Sequence, residues 1–181
     1  MEDFIYGSIV FTSHSTLEDP EDPEDFITDF TGIIKVWSES SDLKVEVGRI
    51  QGSMVEIKKA VDYECPVFDV FDATEGIDEY MVQVWDYDND DFSKSVNPNE
   101  ENLWDALILE KLYIYPEFNG HRYGLAAIQR TIEYFDRDSF LVIFKADPLQ
   151  FIEKGRHSDN FNERMDISKF ETEKNKALKS L

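Results

Sequence analysis

The chain has 181 residues, 41% hydrophobic and 14% aromatic, which is enough for one well-cored domain and argues against a disordered chain despite 31% charged residues. Its 39 acidic residues against 18 basic ones give a formal net charge of -21, which opposes duplex DNA, RNA or an anionic membrane as partner, since each is gripped by positive surface. The same charge suits a cationic amine or a basic protein, or serves solubility alone. One cysteine, Cys65, excludes an internal disulfide and a cysteine-rich zinc site, and reads as a small buried hydrophobe. The start, Met1-Glu2-Asp3-Phe4, lacks the basic region and apolar run of a signal peptide, and no apolar stretch reaches the length of a membrane span. A cytoplasmic location is therefore expected.

Phe4 to Thr12 is rich in β-branched and aromatic residues and predicts a strand. Glu18 to Asp25 repeats Glu-Asp-Pro, whose like charges and prolines oppose helix and ladder, so it reads as a solvated loop. Gly32–Trp37 and Leu43–Ile50 predict a hairpin around the turn Ser38–Asp42. Ser53 to Val61 reads as a short helix capped by Ser53, with Glu56 completing a capping box, and Cys65-Pro66 ends it. Val67–Phe71 reads as extended, and Gly76–Trp85 as a helix with Ile77, Tyr80, Met81 and Val84 on one face. Asp86 to Asp90 has the alternating acids of a calcium loop, but Asp91 stands where glycine is needed and Asn97 where a closing Glu belongs, so no metal site is expected. Asp90–Asn102 reads as a loop over the active face.

Leu107–Tyr115 is an apolar run of strand length stopped by Pro116, which cannot donate to a ladder. From Leu125 the spacing Leu125, Ile128, Ile132, Phe135 puts four apolar residues on one helix face, with Gln129, Arg130, Glu133 and Asp136 outward. Phe140–Ala146 reads as a strand buried on both faces, so the order predicts a βαβ unit with parallel strands. The loop between, Pro116 to Gly124, delivers backbone N–H groups to a helix N-terminus, and its glycines allow close approach of an anion such as a phosphate. Glu110, a carboxylate inside this apolar strand, is either a catalytic base or a residue that faces solvent or an ion-pair partner.

Here the sequence resembles the GNAT superfamily of N-acyltransferases. Their acyl-coenzyme A signature, Arg/Gln-x-x-Gly-x-Gly/Ala, follows a strand ending in an apolar residue, a variable residue and Pro. The frame in this chain is Ile114-Tyr115-Pro116, then Asn119-Gly120-His121-Arg122-Tyr123-Gly124, then Leu125-Ala126-Ala127-Ile128. Asn119 stands where the family usually has Arg or Gln, and Arg122 where it usually has the first glycine. Pro148-Leu149-Gln150-Phe151 is similar to an element after the next strand in an uncharacterised bacterial branch of the superfamily.

The resemblance implies an α/β (α+β) fold over 1–181, a mixed central sheet with flanking helices around a βαβ core at 107–146, with helices ahead of the cofactor-binding strand. It implies an acyl-CoA cofactor, normally acetyl-CoA, held by Leu112 and Ile114 at the strand end and by Asn119, Gly120, His121, Arg122, Tyr123 and Gly124, largely through backbone amides. A small-molecule or peptide amine would attack the thioester directly, with Glu110 as base. On this reading Gly124→Glu sets a carboxylate at the anion site and leaves the fold intact.

The polar loop Glu153–Asn160, with Lys154, Arg156 and His157, is a further candidate for a coenzyme A phosphate. Met165–Leu181 reads as an amphipathic helix. In the family such a helix usually leads to a Tyr-rich segment and final strands, and that Tyr often protonates the departing thiolate; here either the sequence stops ahead of that segment or the protein does without it, and the usual general acid is missing in either case. The alternatives are a GNAT-like scaffold without catalysis that binds a partner such as a basic protein, and an acidic mimic of nucleic acid.

Overall fold

In the computed structural model, which describes residues 6–14, 19–37, 44–74, 76–99, 105–135 and 140–144, the elements follow one another as β1 (Tyr6–Ser13), a 3-10 turn at Pro23–Phe26, β2 (Ile27–Trp37), β3 (Val45–Val55), α1 (Ile57–Asp62), α2 (Val67–Asp72), α3 (Ile77–Val84), β4 (Trp85–Asp86), β5 (Asp91–Phe92), β6 (Asp105–Ile114), a 3-10 turn at Pro116–Phe118, α4 (Tyr123–Phe135) and β7 (Phe140–Phe144). The main sheet has five strands in the order β1-β2-β3-β6-β7. Its first three strands form an antiparallel meander, β6 runs antiparallel to β3, and β7 runs parallel to β6 with α4 as the crossover. The fold is thus α+β with a mixed sheet and a βαβ unit, as expected from the sequence.

Alternation along the strands divides the core between two faces. Ala106 and Ile108 of β6, with Val55 of β3, pack under α1, α2 and α3 together with Phe71, Ile77, Met81 and Trp85. Leu107 and Leu109, with Phe30, Ile50 and Met54, face α4 and its Ile128, Ile132 and Phe135. Further along the same face, Ile34, Val36 and Val47 pack against Ala127, with Leu112, Ile114 and Tyr123 at their margin.

Two irregularities set how the strands pass each other. Gln51 pairs with Lys111 and Gly52 with Leu109, so Glu110 is an extra residue on β6, a β-bulge. The bulge restores phase: Leu107 and Leu109 face α4 before it, and Leu112 and Ile114 approach α4 after it. A second bulge leaves Val47 extra on β3, between the pairs Ile34 with Gly48 and Lys35 with Glu46.

Several local expectations are overturned. Ser53 does not cap a helix; it lies in β3, 2% exposed, its hydroxyl held between carboxylates. α1 begins at Ile57 after Glu56, whose side chain makes no cap bond. Val67–Phe71 is helical, because Pro66 sits just before the first turn, where a missing N–H costs nothing, and the helix buries Val67, Val70 and Phe71. The acidic loop closes in a 3-10 turn whose Phe26 is buried, and the Asp25 carboxylate accepts from the Glu21 and Asp22 amides at 3.1 Å each, which holds its pKa below the usual carboxylate range. Asp86 opens a tight turn, its carboxylate accepting from Asp88 N–H at 3.0 Å and from the Asn89 side chain at 2.8 Å, and Asp86 and Asp91 pair across the small hairpin β4–β5. Phe92, expected in an open loop, is buried against Trp85.

β7 is at an edge of the described sheet and is not buried on both faces: Leu141 and Ile143 pack under the helices, while Val142 and Phe144 are 37% and 47% exposed. On α4, Ile128, Ile132 and Phe135 of the expected face pack on the sheet, but Leu125 does not. Ala127 and Thr131 are the buried residues of this helix, and Leu125 is 64% exposed. Small side chains bring this helix close to the sheet, and the Thr131 hydroxyl is satisfied inside it by the Ala127 carbonyl at 2.8 Å. The turn Ser38–Asp42, Ala146, the segment Pro148–Phe151, the loop Glu153–Asn160 and the helix expected at Met165–Leu181 lie outside the described residues. Among the described residues no helix is long and apolar enough to cross a membrane.

Candidate functional site

The β6–β7 ladder runs from Asp105 with Phe140 to Leu109 with Phe144, so the described ladder stops one residue before the bulge. Beyond it β6 continues on its other side with β3 as far as Ile114. Tyr115 anchors the exit: its N–H donates to the Val47 carbonyl at 2.8 Å and its hydroxyl to Glu46 Oε1 at 2.7 Å. The same carboxylate oxygen accepts from Arg49 Nε at 2.8 Å, and this hydrogen bond raises the Arg49 pKa. Tyr113, 6% exposed, has its pKa pushed up to about 12, chiefly by burial.

From this anchor the chain makes a 3-10 turn, in which Asn119 N–H donates to the Pro116 carbonyl at 3.2 Å, and enters α4 through two left-handed residues. Gly120 has φ 87° and Arg122 has φ 61°. Left-handed backbone is ordinary for glycine and costly for a side-chain-bearing residue. His121 Nδ1 lies 3.2 Å from the Phe118 carbonyl oxygen, and its ring stacks on Tyr123 at 5.5 Å and 8°. Tyr123, partly buried, has its pKa raised by desolvation. A Cβ on Gly124 would lie 3.5 Å from Leu112 Cδ2 and 3.6 Å from Ile114 Cγ1, so that position faces the sheet. This corrects the expectation for Gly124→Glu: its side chain would be driven between α4 and β6, not towards an anion beside the loop.

Of the predicted site residues, Leu112, Ile114 and the loop Asn119–Gly124 come together on the α4 side of β6. Glu110 does not join them. It points to the opposite face, where Ser53 Oγ lies 3.3 Å from Glu110 Oε1 and 2.7 Å from Asp29 Oδ1. Asp29 and Ser53 are register partners on β2 and β3, so three strands contribute to this polar cluster. A serine hydroxyl has one proton to donate, and the shorter contact gives it to Asp29. The helical layer covers only the end of this face at Val55, Ala106 and Ile108. Among the described residues no group of three or more His, Cys, Asp and Glu side chains is placed to hold a metal ion.

Sequence reasoning missed a groove of about 710 Å³ on the other side of the loop, between α4 and the strands β1 and β2. Ile9, Ile34 and Val36 form its floor, Ala126 and Ala127 its helical wall, and His121, Arg122 and Arg130 its polar margin. Phe11 closes one end by stacking on Tyr134 at 4.4 Å and meeting Phe135 edge-on at 5.6 Å. The available signal was Ile9 and Phe11 alternating on β1, with Ala126, Arg130 and Tyr134 at four-residue spacing on α4. Comparison with models of protein families, with curated proteins and with solved structures finds no match.

Proposed function

We propose that the protein is an acyl-CoA-dependent N-acyltransferase of the GNAT type, using acetyl-CoA or a related thioester and acylating a cationic small-molecule or peptide amine in the cytoplasm. The observation that carries this reading is the backbone of Arg122. At the position where the resembling family has its first glycine, this chain keeps a glycine's left-handed conformation, φ 61°, under an arginine side chain. A loop that holds such a conformation against its cost turns its backbone amides in a way an ordinary turn does not. The bulge at Glu110 supports the same reading, because it interrupts the regular ladder of β6 with β3 close to the loop that follows this strand.

In this mechanism the amides of 119–124 and the N-terminus of α4 would hold the pyrophosphate. The thioester would lie beside the bulge at Glu110, and the amine would come from the polar face carrying Asp29, Ser53 and Glu110. Glu110 would take one proton from the ammonium, the freed nitrogen would bond to the thioester carbon, and as the C–S bond breaks the departing sulfur would take the nitrogen's second proton, leaving coenzyme A thiol and an amide. Positioning and backbone donors to the carbonyl oxygen supply most of the acceleration. Calorimetric titration with acetyl-CoA, with coenzyme A as reference, tests the reading: saturable one-to-one binding is expected, and no heat from folded protein at high ligand concentration overturns it.

A second reading, a GNAT-like scaffold without catalysis that binds a basic protein, draws on the net charge of -21 and on the separation of Glu110 from the loop by the sheet. It is favoured if acetyl-CoA fails to bind and a basic protein does.

A further inference from the structure

We infer that the groove between α4 and strands β1 and β2 binds a single-chain aliphatic carboxylate, with the tail on Ile9, Ile34 and Val36 and the head at Arg122. This goes beyond the acyltransferase reading and stands without it. The volume, about 710 Å³, is in the range of sites that enclose a small amphiphile, and its floor is aliphatic. Charge selects the head group. The chain carries 39 acidic residues, yet no Asp or Glu lines this groove, whose charged lining residues are Arg122 and Arg130. On so acidic a protein, a carboxylate-free groove with two guanidiniums at its margin is complementary to an anion.

The two arginines differ. Arg130 Nη1 already donates to Glu133 Oε2 at 2.5 Å in an exposed ion pair one turn along α4, so that guanidinium is shared with a carboxylate. Arg122 has no side-chain partner among the described residues, and its left-handed backbone fixes where the side chain departs from the loop. One uncommitted guanidinium matches one carboxylate, as a bidentate pair. Phe11 stacked on Tyr134 closes the far end, which limits tail length.

The test is titration of the full chain with dodecanoate below its micellar range, followed by calorimetry, with dodecylamine and dodecanol as head-group controls. Saturable one-to-one binding of dodecanoate is expected, at least tenfold tighter than either control. Ala126→Phe, at an exposed wall position, fills the groove and should abolish binding without loss of fold. Arg122→Gly should weaken dodecanoate at least tenfold and leave dodecanol unchanged. Dodecylamine binding as well as dodecanoate, or unchanged binding in Ala126→Phe, overturns the assignment. Concentration-dependent self-association that Ala126→Phe abolishes, with no dodecanoate binding, gives the groove to a second copy and also overturns it. Acetyl-CoA is titrated in parallel, so failure of the carboxylate site and failure of the cofactor site are read separately.

Discussion

Replacing Arg122 by glycine should stabilise the protein. At φ 61° a side-chain-bearing residue pays about 1–2 kcal/mol for the left-handed conformation. Glycine removes that cost and adds about 0.5–1 kcal/mol of conformational freedom to the unfolded chain. The difference is a gain of about 0.5–1 kcal/mol, equivalent to a rise of about 1–4 °C in Tm for a chain of this size. The Arg122 carbonyl, which accepts from Ala126 N–H at 3.1 Å in the first turn of α4, is untouched by the change. Arg122→Ala separates backbone from side chain, because it keeps the Cβ and the strain, and should stay within about 0.5 kcal/mol of the parent. The assay is urea unfolding of all three proteins with equal m-values. A loss of stability in Arg122→Gly, matched in Arg122→Ala, refutes the reasoning, since it would mean the guanidinium holds the loop. Acetyl-CoA affinity in Arg122→Gly should not fall, because the proposed pyrophosphate contacts are backbone amides.

Gly124→Ala should be tolerated within about 1 kcal/mol, since its methyl meets Leu112 and Ile114 at ordinary contact distance, whereas Gly124→Glu buries a carboxylate against β6 and should cost about 3 kcal/mol or more by urea unfolding. Equal stability of the two variants would show that this face of α4 is open. Gly52→Ala should cost about 3 kcal/mol, because the new Cβ meets the Ile108 carbonyl oxygen and the Phe30 ring, and backbone cannot step aside; a near-native midpoint would remove the close approach of β3 and β6. Tyr113 titrates at about 12 in the folded protein against 10 when free, so its neutral form is favoured by folding. The resulting stability, on the order of 2 kcal/mol, is fully present below pH 10 and is lost as pH rises towards 12. Tyr113→Phe should flatten that decline, measured as urea midpoints from pH 9 to 12, and an unchanged slope would assign the loss to other groups.

The βαβ core was legible because its signals are local and agree: Pro116 stops β6, the 3.6-residue period marks α4, and the apolar run 140–144 gives β7. Leu125 misled because a window reads apolar spacing but not helix-to-sheet distance; Ala127 and Thr131 are small enough for close packing, so the helix turned them inward. Ser53 misled for a related reason. Ser-x-x-Glu ahead of an apolar segment fits a capping box, but β3 continues to Val55 because Ser53 and Val55 both have ladder partners on two sides, and tertiary pairing outweighs a local cap. Helix α2 was hidden in a short run, Val67–Phe71, where period cannot separate strand from helix. Spacing marked each wall of the groove, but nothing local joins β1 to α4 across more than a hundred residues of sequence.

The bulge at Glu110 was written in the chain, since the alternation Leu107, Leu109 resumes out of phase at Leu112, Ile114. That phase shift makes a sharp prediction. Deleting Glu110 removes the extra residue and turns 105–114 into a regular strand in which Leu107, Leu109, Leu112 and Ile114 all keep facing α4. The deletion should therefore fold, within about 2 kcal/mol of the parent, while Ser53 keeps its 2.7 Å bond to Asp29. Deleting Ile108 instead flips one side of the bulge against the other, exposes core leucines and should abolish cooperative unfolding, because a one-residue slip sends every side chain to the wrong face. Circular dichroism and urea unfolding of the two deletions decide the matter. If both were equally unstable, the bulge would be a requirement of the fold. If only the Ile108 deletion fails, the ladder does not need the extra residue.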